Sequence, residues 1–344
     1  MPARAEAIAA HAVGVCGALG LNGPHARALV EHQRVLLALR PETFNPRASA
    51  RVAASATATL RASGDERGLA GAVHHRCELA WLIGDPVGSC GHAAEMLGVA
   101  DRAGSDFDAA LALMFTAWCF VEGPWPAADA LDRYAALASG GARGPTAALA
   151  AAGGHAILIA LSGRNAEARD EMARARAGLG ERGLDRLAIY LALLDSVGES
   201  LAGDAAAAGR AVGDARALLS GPTDRWYEAT LNVEAAIAVL AEGRDATAAV
   251  ARVEAVPAPC DLEWVVKRHR ARAGLAAQRG DAATAVAEAG LGVAAAETGG
   301  LLLVTAGAHA TLADALHRAG DAGAAREAEA AADAILAAKG VRHA

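Results

Sequence analysis

The chain has 344 residues, of which 54% are hydrophobic but only 3% aromatic, and it carries a formal net charge of -7 with a pI near 5.9. This acidic balance gives no electrostatic reason to approach nucleic acid or an anionic membrane, so we expect neither as a partner. The apolar mass is mainly alanine, leucine and valine, which favours closely packed helices over β-strands.

The five cysteines are scattered and never form a Cys-x-x-Cys pair, which predicts a reducing, cytoplasmic compartment rather than a disulfide framework. The longest apolar run, 109–121, is shorter than the roughly 20 residues that a bilayer-spanning helix needs, so we interpret it as a buried helix. Residues 7–21 have the apolar character of a signal peptide, but Glu6, His11 and the scarcity of leucine weigh against that interpretation.

Residues 1–63 are predicted to form degenerate N-terminal helices of the same architecture as the rest of the chain. The pattern indicates helices over 1–20, 25–39 and 47–62, with Pro41 and Pro46 breaking the chain between the last two.

From residue 64 to 344 the sequence predicts seven helix pairs, the last ending in a C-terminal cap helix. A glycine that suits the left-handed end of a helix recurs every 37 to 40 residues, at Gly84, Gly123, Gly163, Gly203, Gly243, Gly280 and Gly320. A second series of breaks, near Gly64, Gly104, Gly144, Gly183, Gly221, Pro259 and Gly299, separates the pairs. Two turn series with one period predict a helical solenoid.

Small residues at fixed distances from the turn glycine support this register, because closely approaching helices exclude bulk. Seven residues before it stand Cys77, Thr116, Ala156, Ser196, Ala236, Ala273 and Ala313. Five residues after it stand Ser89, Ala128, Ala168, Ala208, Ala248, Ala285 and Ala325.

This pattern resembles the tetratricopeptide repeat, with a period nearer 40 than the usual 34. Residues 64–340 more closely resemble the C-terminal repeat region of bacterial signalling proteins that carry cyclase and ATPase domains, and of related ATPase-containing transcription regulators. The segments that carry the resemblance are 64–70, 81–84, 264–280, 296–298, 312–316 and 338–340. The sequence departs from the family at Leu336, where a tyrosine is common. These 344 residues contain no cyclase or ATPase domain, which leaves open whether the chain stands alone or derives from a longer protein. The resemblance implies a right-handed superhelix and a regulatory role.

We find no residue set that specifies a reaction, a cofactor or a metal, so we predict no catalytic, cofactor-binding or metal-binding residues. The dinucleotide-like spelling Gly178-Leu-Gly180-Glu-Arg-Gly183 follows a helix instead of a strand and is interpreted as a turn. The adjacent pair His74-His75 is poorly disposed to chelate one ion. The basic run 267–272 is interpreted as a salt-bridged helix face rather than an anion site.

Seven of the twelve aromatic residues crowd into 81–134, which indicates either a thicker core or an apolar binding patch. In tetratricopeptide repeats the first helix of each pair lines the concave side. Carried over by distance from the turn glycine, that rule predicts a partner-binding inner wall with His74, Glu78, Trp81, Leu113, Ala117, Phe120, Leu193 and Val197 as its candidate residues.

The sequence therefore predicts an all-α, right-handed, tetratricopeptide-like solenoid without catalysis of its own, which binds a protein or peptide in its groove. One alternative is a ligand sensor that binds a small molecule and reports to a separate effector domain. Another is an all-helical enzyme. A pocket of several hundred cubic ångströms would favour the sensor, an open groove the scaffold, and clustered ionisable groups inside would favour the enzyme.

Overall fold

The computed structural model describes residues 2–141, 143–219, 225–256 and 260–341, and over these ranges the chain is all-helical, with seventeen α-helices. The N-terminal helices are α1 (Pro2–Ala18), α2 (Asn22–Leu39) and α3 (Pro46–Ala62). They are followed by α4 (Glu66–Leu82), α5 (Pro86–Ala103), α6 (Asp106–Glu122), α7 (Ala127–Ser139), α8 (Pro145–Leu161), α9 (Asn165–Gly180) and α10 (Asp185–Leu201). The last are α11 (Ala205–Leu218), α12 (Arg225–Ala241), α13 (Thr247–Ala255), α14 (Leu262–Gln278), α15 (Ala282–Ala296), α16 (Leu302–Ala319) and α17 (Ala322–Lys339).

Helix ends follow local chemistry. The turn glycines adopt left-handed φ values of 69° to 83° at Gly84, Gly163, Gly203, Gly243, Gly280 and Gly320, as predicted. Aspartate side chains cap the helices that follow several turns, accepting a backbone N–H at Asp65, Asp85, Asp204, Asp261, Asp281 and Asp321. Gly123 differs, because it is extended (φ -78°, ψ -177°) at the end of α6. The predicted breaks at Gly221 and Pro259 lie outside the described residues.

The helices pack in chain order, each against the next, as an α-solenoid requires. The seven small residues that precede the turn glycines by seven positions are all buried. Of those five positions after the turn, Ala128 and Ala248 are exposed. Both belong to the two shortest helices, α7 and α13, whose register is displaced so that Ala127 and Ala249 are buried instead.

The solenoid closes on itself, which the repeat pattern did not predict. The end of α4 meets the α15–α16 connection, where the Gly300 amide donates to the Gly84 carbonyl at 2.7 Å. The approach at Gly84 is so close that a Cβ there would lie 2.4 Å from Leu262 Cδ2. Nearer the N-terminus, the Cys260 amide donates to the Pro41 carbonyl at 3.1 Å, and α2 contacts α12.

Two buried charges complete the closure between α6 and the last helix pair. Glu122 at the end of α6 accepts the Leu303 and Val304 amides at 3.0 and 3.1 Å, and so caps the first turn of α16. Lys339 at the end of α17 donates to the carbonyls of Phe120, Gly123 and Trp125 at 2.7, 2.8 and 2.9 Å. Each charge satisfies backbone groups that a helix end leaves without partners.

The rest of α17 behaves as the predicted terminal helix. Its apolar face, including Ala325, Ala332 and Leu336, is buried, while Arg326, Glu327, Glu329 and Asp333 are exposed. Within the described ranges, none of the helices has both the length and the apolar character needed to cross a bilayer.

Candidate ligand-binding cavity

The closed superhelix surrounds a cavity of about 360 Å³. Its walls come from α2, α4, α6, α10, α12 and α14, so that the first helices of several pairs face one another across it. Eight of the twelve aromatic residues of the chain line this one space: Trp81, Phe107, Phe115, Trp118, Tyr190, Trp226, Tyr227 and Trp264. A chain poor in aromatic residues has therefore concentrated most of them at a single internal surface.

The aromatic rings form a connected belt in which neighbouring rings are steeply inclined to each other. Trp81 and Trp118 lie 5.7 Å apart at 90°, and Trp118 and Tyr190 lie 6.4 Å apart at 83°. The belt continues from Tyr190 to Tyr227, at 5.7 Å and 81°, and from Tyr227 to Trp226, at 5.0 Å and 73°. Edge-to-face pairs of this kind stabilise the wall beyond the area that they bury.

The α12–α14 side of the cavity carries an excess of carboxylates. Lys267 donates to both Glu234 and Glu263, so one ammonium is shared by two acids. Glu263 also accepts the indole N–H of Trp81 at 3.1 Å, which links α14 to α4 across the cavity. Burial alone would lower the pKa of Lys267, but the charges of Glu234 and Glu263 outweigh it and raise that pKa.

Asp261 is a third carboxyl on this side. Its Oδ1 caps α14 by accepting the Glu263 and Trp264 amides at 2.9 and 3.4 Å, and its Oδ2 accepts the Trp226 indole N–H at 3.0 Å. Burial and then the charge of Glu263 raise the pKa of Asp261 to about 7, in spite of these hydrogen bonds. The ionised form of this carboxyl is therefore costly in the folded protein.

We expect Asp261→Asn to become more stable relative to wild type as the pH rises from 5 to 7.5. Because the pKa is raised on folding, Asp261 stabilises the fold fully below its unfolded pKa, and this contribution is lost as the pH rises through about 7. The difference between the two unfolding free energies should change by about 2 kcal/mol over this interval, as measured by urea denaturation.

Asp281→Asn provides the matched control, since Asp281 is also an N-cap but is exposed, and its hydrogen bonds to Thr284 lower its pKa below the ordinary value. Its difference from wild type should be flat across the same pH range. A flat profile for Asp261→Asn as well would contradict the raised pKa.

The α2–α4 side is more evenly balanced. Arg34 lies 3.1 Å from Glu31 and 4.0 Å from Glu78. Both ring nitrogens of His75 have hydrogen-bond partners, because its Nδ1 lies 3.1 Å from Glu78 Oε2 and its Nε2 lies 3.0 Å from Ser49 Oγ. Burial would raise the pKa of Glu78, but the neighbouring histidines and Arg34 outweigh it and lower that pKa well below its usual range.

Two buried polar atoms of the cavity wall have no hydrogen-bond partner, namely His74 Nε2 and Trp118 Nε1. His74 is only 6% exposed, and burial lowers its pKa to about 4, so the ring is neutral near pH 7. Buried polar groups are normally satisfied, and unpaired ones at a cavity wall indicate where a ligand could bond.

The structure divides the eight inner-wall candidates equally. His74, Glu78, Trp81 and Leu193 line the cavity. Leu113, Ala117 and Phe120 are buried in the core between helices, and Val197 is partly buried against that core. As binding residues the first four stay a prediction, whereas the positions of the other four differ from the inner wall that we expected.

The difference arises from the register of α6. Lining residues stand ten before the turn glycine in α4, α10 and α12, as His74, Leu193 and Val233 do. In α6 the lining residues Met114 and Trp118 stand nine and five before Gly123, one residue later than the corresponding positions of α4. One residue rotates a side chain by about 100° around a helix, which moves Leu113, Ala117 and Phe120 from the inner wall into the core.

Both interpretations of the crowded aromatic segment apply in part. Trp81, Phe107, Phe115 and Trp118 line the cavity. By contrast, Phe120 and Trp125 pack together at 5.1 Å, and Tyr134 is fully buried with its hydroxyl 3.4 Å from the Ala150 carbonyl.

Sequence reasoning missed the aromatic residues of the later pairs, Tyr190, Trp226, Tyr227 and Trp264. A usable signal existed, since all eight lining aromatic residues lie on the first helix of a pair.

The basic run in α14 is extensively ion-paired. Arg268 and Arg272 lie against Glu254, and His269 Nδ1 lies 2.7 Å from Glu288. Arg270 donates to the Thr311 hydroxyl at 3.2 Å. The glycine-rich spelling at 178–183 falls on the end of α9 and the turn after it.

Comparison with models of protein families found no match, and comparison with curated proteins found no relative of this chain.

Proposed function

We propose that this chain is a non-catalytic ligand sensor, a right-handed tetratricopeptide-like superhelix of repeats near 40 residues whose cavity binds a small molecule. The observation that carries the proposal is the convergence of eight aromatic side chains on one cavity of about 360 Å³. Apolar cavities of this order, with a few polar groups at fixed positions, are typical of small-molecule sites.

The cavity fits a small molecule better than a protein partner. A helix with its side chains is about 10–12 Å across, which exceeds what a space of about 360 Å³ can enclose beyond a single turn. Contacts of the last helices with the ends of α4 and α6 close the ring, so the inner surface is not the open groove that a scaffold would offer to a peptide. The protein or peptide partner that the sequence analysis placed in the groove would therefore bind the outer surface instead, in the cytoplasm, as the receiver of the signal.

A ligand in this cavity would favour the closed superhelix, since it would contact α4 and α6 on one side and α12 and α14 on the other. Binding to the folded, closed state stabilises it by RT ln(1 + [L]/Kd), about 2.7 kcal/mol at one hundred times Kd. The effector, a cyclase, ATPase or DNA-binding domain as the resemblance implies, would read the change in closure.

The experiment is native mass spectrometry and thermal denaturation of the purified chain against fractionated small-molecule extracts of bacteria. We expect a small molecule that raises the melting temperature of wild type and of Trp125→Leu, which lies outside the cavity, but not of Trp118→Leu. Equal stabilisation of both variants would place the ligand elsewhere. Retention of no small molecule, together with capture of a protein, would favour the scaffold.

The clustered ionisable groups at Asp261, Glu263 and Lys267 are the one observation that favours an enzyme as second candidate. Against it, the groups are committed to structural bonds: Lys267 is held by two carboxylates, and Asp261 caps α14 and bonds Trp226. Recovery of the bound molecule unchanged after prolonged incubation would support the sensor, and its conversion by wild type but not by Asp261→Asn would support the enzyme.

A further inference from the structure

The cavity has a charge imbalance that a ligand could relieve. Its lining includes five carboxyl groups, Glu31, Glu78, Glu234, Asp261 and Glu263, against three permanent cations, Arg34, Arg186 and Lys267. Because the pKa of Asp261 is raised to about 7, this carboxyl is only partly ionised near neutral pH, and the other four still outnumber the cations. The excess is local: Arg34 lies against Glu31 and Glu78, and Arg186 lies over the Tyr227 ring, 5.6 Å from its centroid. On the α12–α14 side one ammonium, that of Lys267, is shared by Glu234 and Glu263, and Asp261 lies on the same wall. A positively charged ligand would therefore be attracted most strongly to the α12–α14 side of the cavity.

The shape of the aromatic belt also favours a cation. Successive rings from Trp81 through Trp118, Tyr190 and Tyr227 are inclined by 81° to 90°, so they form the walls of a box rather than one flat platform. The flat face of a sugar or of a planar ring stacks best on a single exposed aromatic face. A compact ammonium group is instead held by several ring faces that surround it.

Hydrogen bonding strengthens these ring faces. The indole N–H of Trp81 donates to Glu263, and that of Trp226 donates to Asp261. A carboxylate acceptor polarises its donor, which makes the face of the indole more negative and more attractive to a cation. The Trp118 N–H, which has no partner, provides a donor for an oxygen of the ligand.

We propose that the cavity binds a compact organic cation, an ammonium group with an apolar shell and a nearby hydrogen-bond acceptor. In this arrangement the charge lies among the rings of Trp81, Trp118 and Tyr190, toward the carboxylates of α14. The acceptor oxygen takes the Trp118 N–H. The inference rests on the proposed ligand-sensing function and specifies the chemical class of its ligand.

The test compares two probes of the same shape by isothermal calorimetry, acetylcholine and its uncharged carbon analogue 3,3-dimethylbutyl acetate. We expect the cation to bind at least about tenfold more tightly, since only it gains the ring and carboxylate attraction. Added salt should weaken binding of the cation and leave that of the neutral analogue unchanged.

Variants separate charge from shape. Glu263→Gln keeps an acceptor for Trp81 but removes a charge, so it should weaken acetylcholine about tenfold and the neutral analogue little. Glu254→Gln, outside the cavity, should bind both probes as wild type does. Trp118→Phe keeps an aromatic ring and should retain more affinity for the cation than Trp118→Leu. If Glu263→Gln does not fold, this pair of variants tests whether the cavity prefers a cation.

Equal affinities for the two probes, tighter binding of the anion indole-3-acetate, or no binding of acetylcholine at millimolar concentration would each overturn the cation assignment. If the extract experiment found a neutral or anionic ligand, the proposed sensor function would be supported, and only the proposal that the ligand is a cation would be wrong. If no small molecule in the extracts bound to the cavity, the proposed sensor function itself would be wrong.

Discussion

Lys339→Met is expected to lower the free energy of unfolding by about 3 kcal/mol. The ammonium is buried and donates to three backbone carbonyls at the end of α6 and in the loop after it. Methionine matches the length of the side chain but leaves these carbonyls without a donor, and each unsatisfied buried group costs about 1–3 kcal/mol. Burial lowers the pKa of Lys339 to about 8, so the buried ammonium carries a desolvation cost. Methionine does not have this cost, which offsets part of the destabilisation.

Urea denaturation measures this difference, and hydrogen exchange at the end of α6 locates it. Arg326→Met is the control on the same helix, because Arg326 is exposed, and it should stay within about 0.5 kcal/mol of wild type. If Lys339→Met were equally silent, the contact between α17 and α6 would not hold the superhelix closed in solution.

Phe120→Ala is expected to destabilise the protein by about 3–5 kcal/mol. The side chain is 3% exposed, packs in the central core and contacts the Trp125 ring edge-to-face at 5.1 Å. Truncation removes this apolar area and leaves a cavity under the closure contact, because the Phe120 carbonyl is itself an acceptor for Lys339. Since Phe120 does not line the ligand cavity, affinity for a ligand should persist at temperatures where the variant is folded.

Phe107→Ala is the matched change at the other end of α6. Phe107 is 45% exposed and lines the ligand cavity, so its loss should cost little stability but reduce ligand affinity. Thermal denaturation and calorimetry on both variants separate the two roles. The reverse result, in which Phe120→Ala is stable but no longer binds the ligand, would show that Phe120 contacts the ligand, as the inner-wall prediction required.

The closure contact and the cavity are electrostatically connected. Burial and then the charge of Glu263 raise the pKa of Glu122 to about 7. Glu122 caps α16, while Glu263 lies at the cavity wall, so a charge that binds near Glu263 changes the cost of ionising the group that holds α6 to α16. This provides a physical route by which occupancy of the cavity could affect closure of the superhelix.

The amino-acid sequence by itself determined the helices and their ends. Left-handed glycines such as Gly163 and Gly280, and N-cap aspartates such as Asp204, act within one turn of backbone, so their effect can be read locally. The same holds for the polar outer face of α17 and for the buried small residues before each turn glycine, which depend only on helical periodicity.

Tertiary structure alone decided that the solenoid closes and what the closure encloses. Lys339 and the Phe120 carbonyl are 219 residues apart, and Trp81 and Glu263 are 182 apart, so no local pattern relates the partners. The curvature that brings them together is the sum of many small rotations between neighbouring helices. The extended Gly123 and the one-residue displacement in α6 show the limit of the periodic rule. An error of one residue turns a side chain by about 100°, enough to replace Ala117 by Trp118 at the cavity wall.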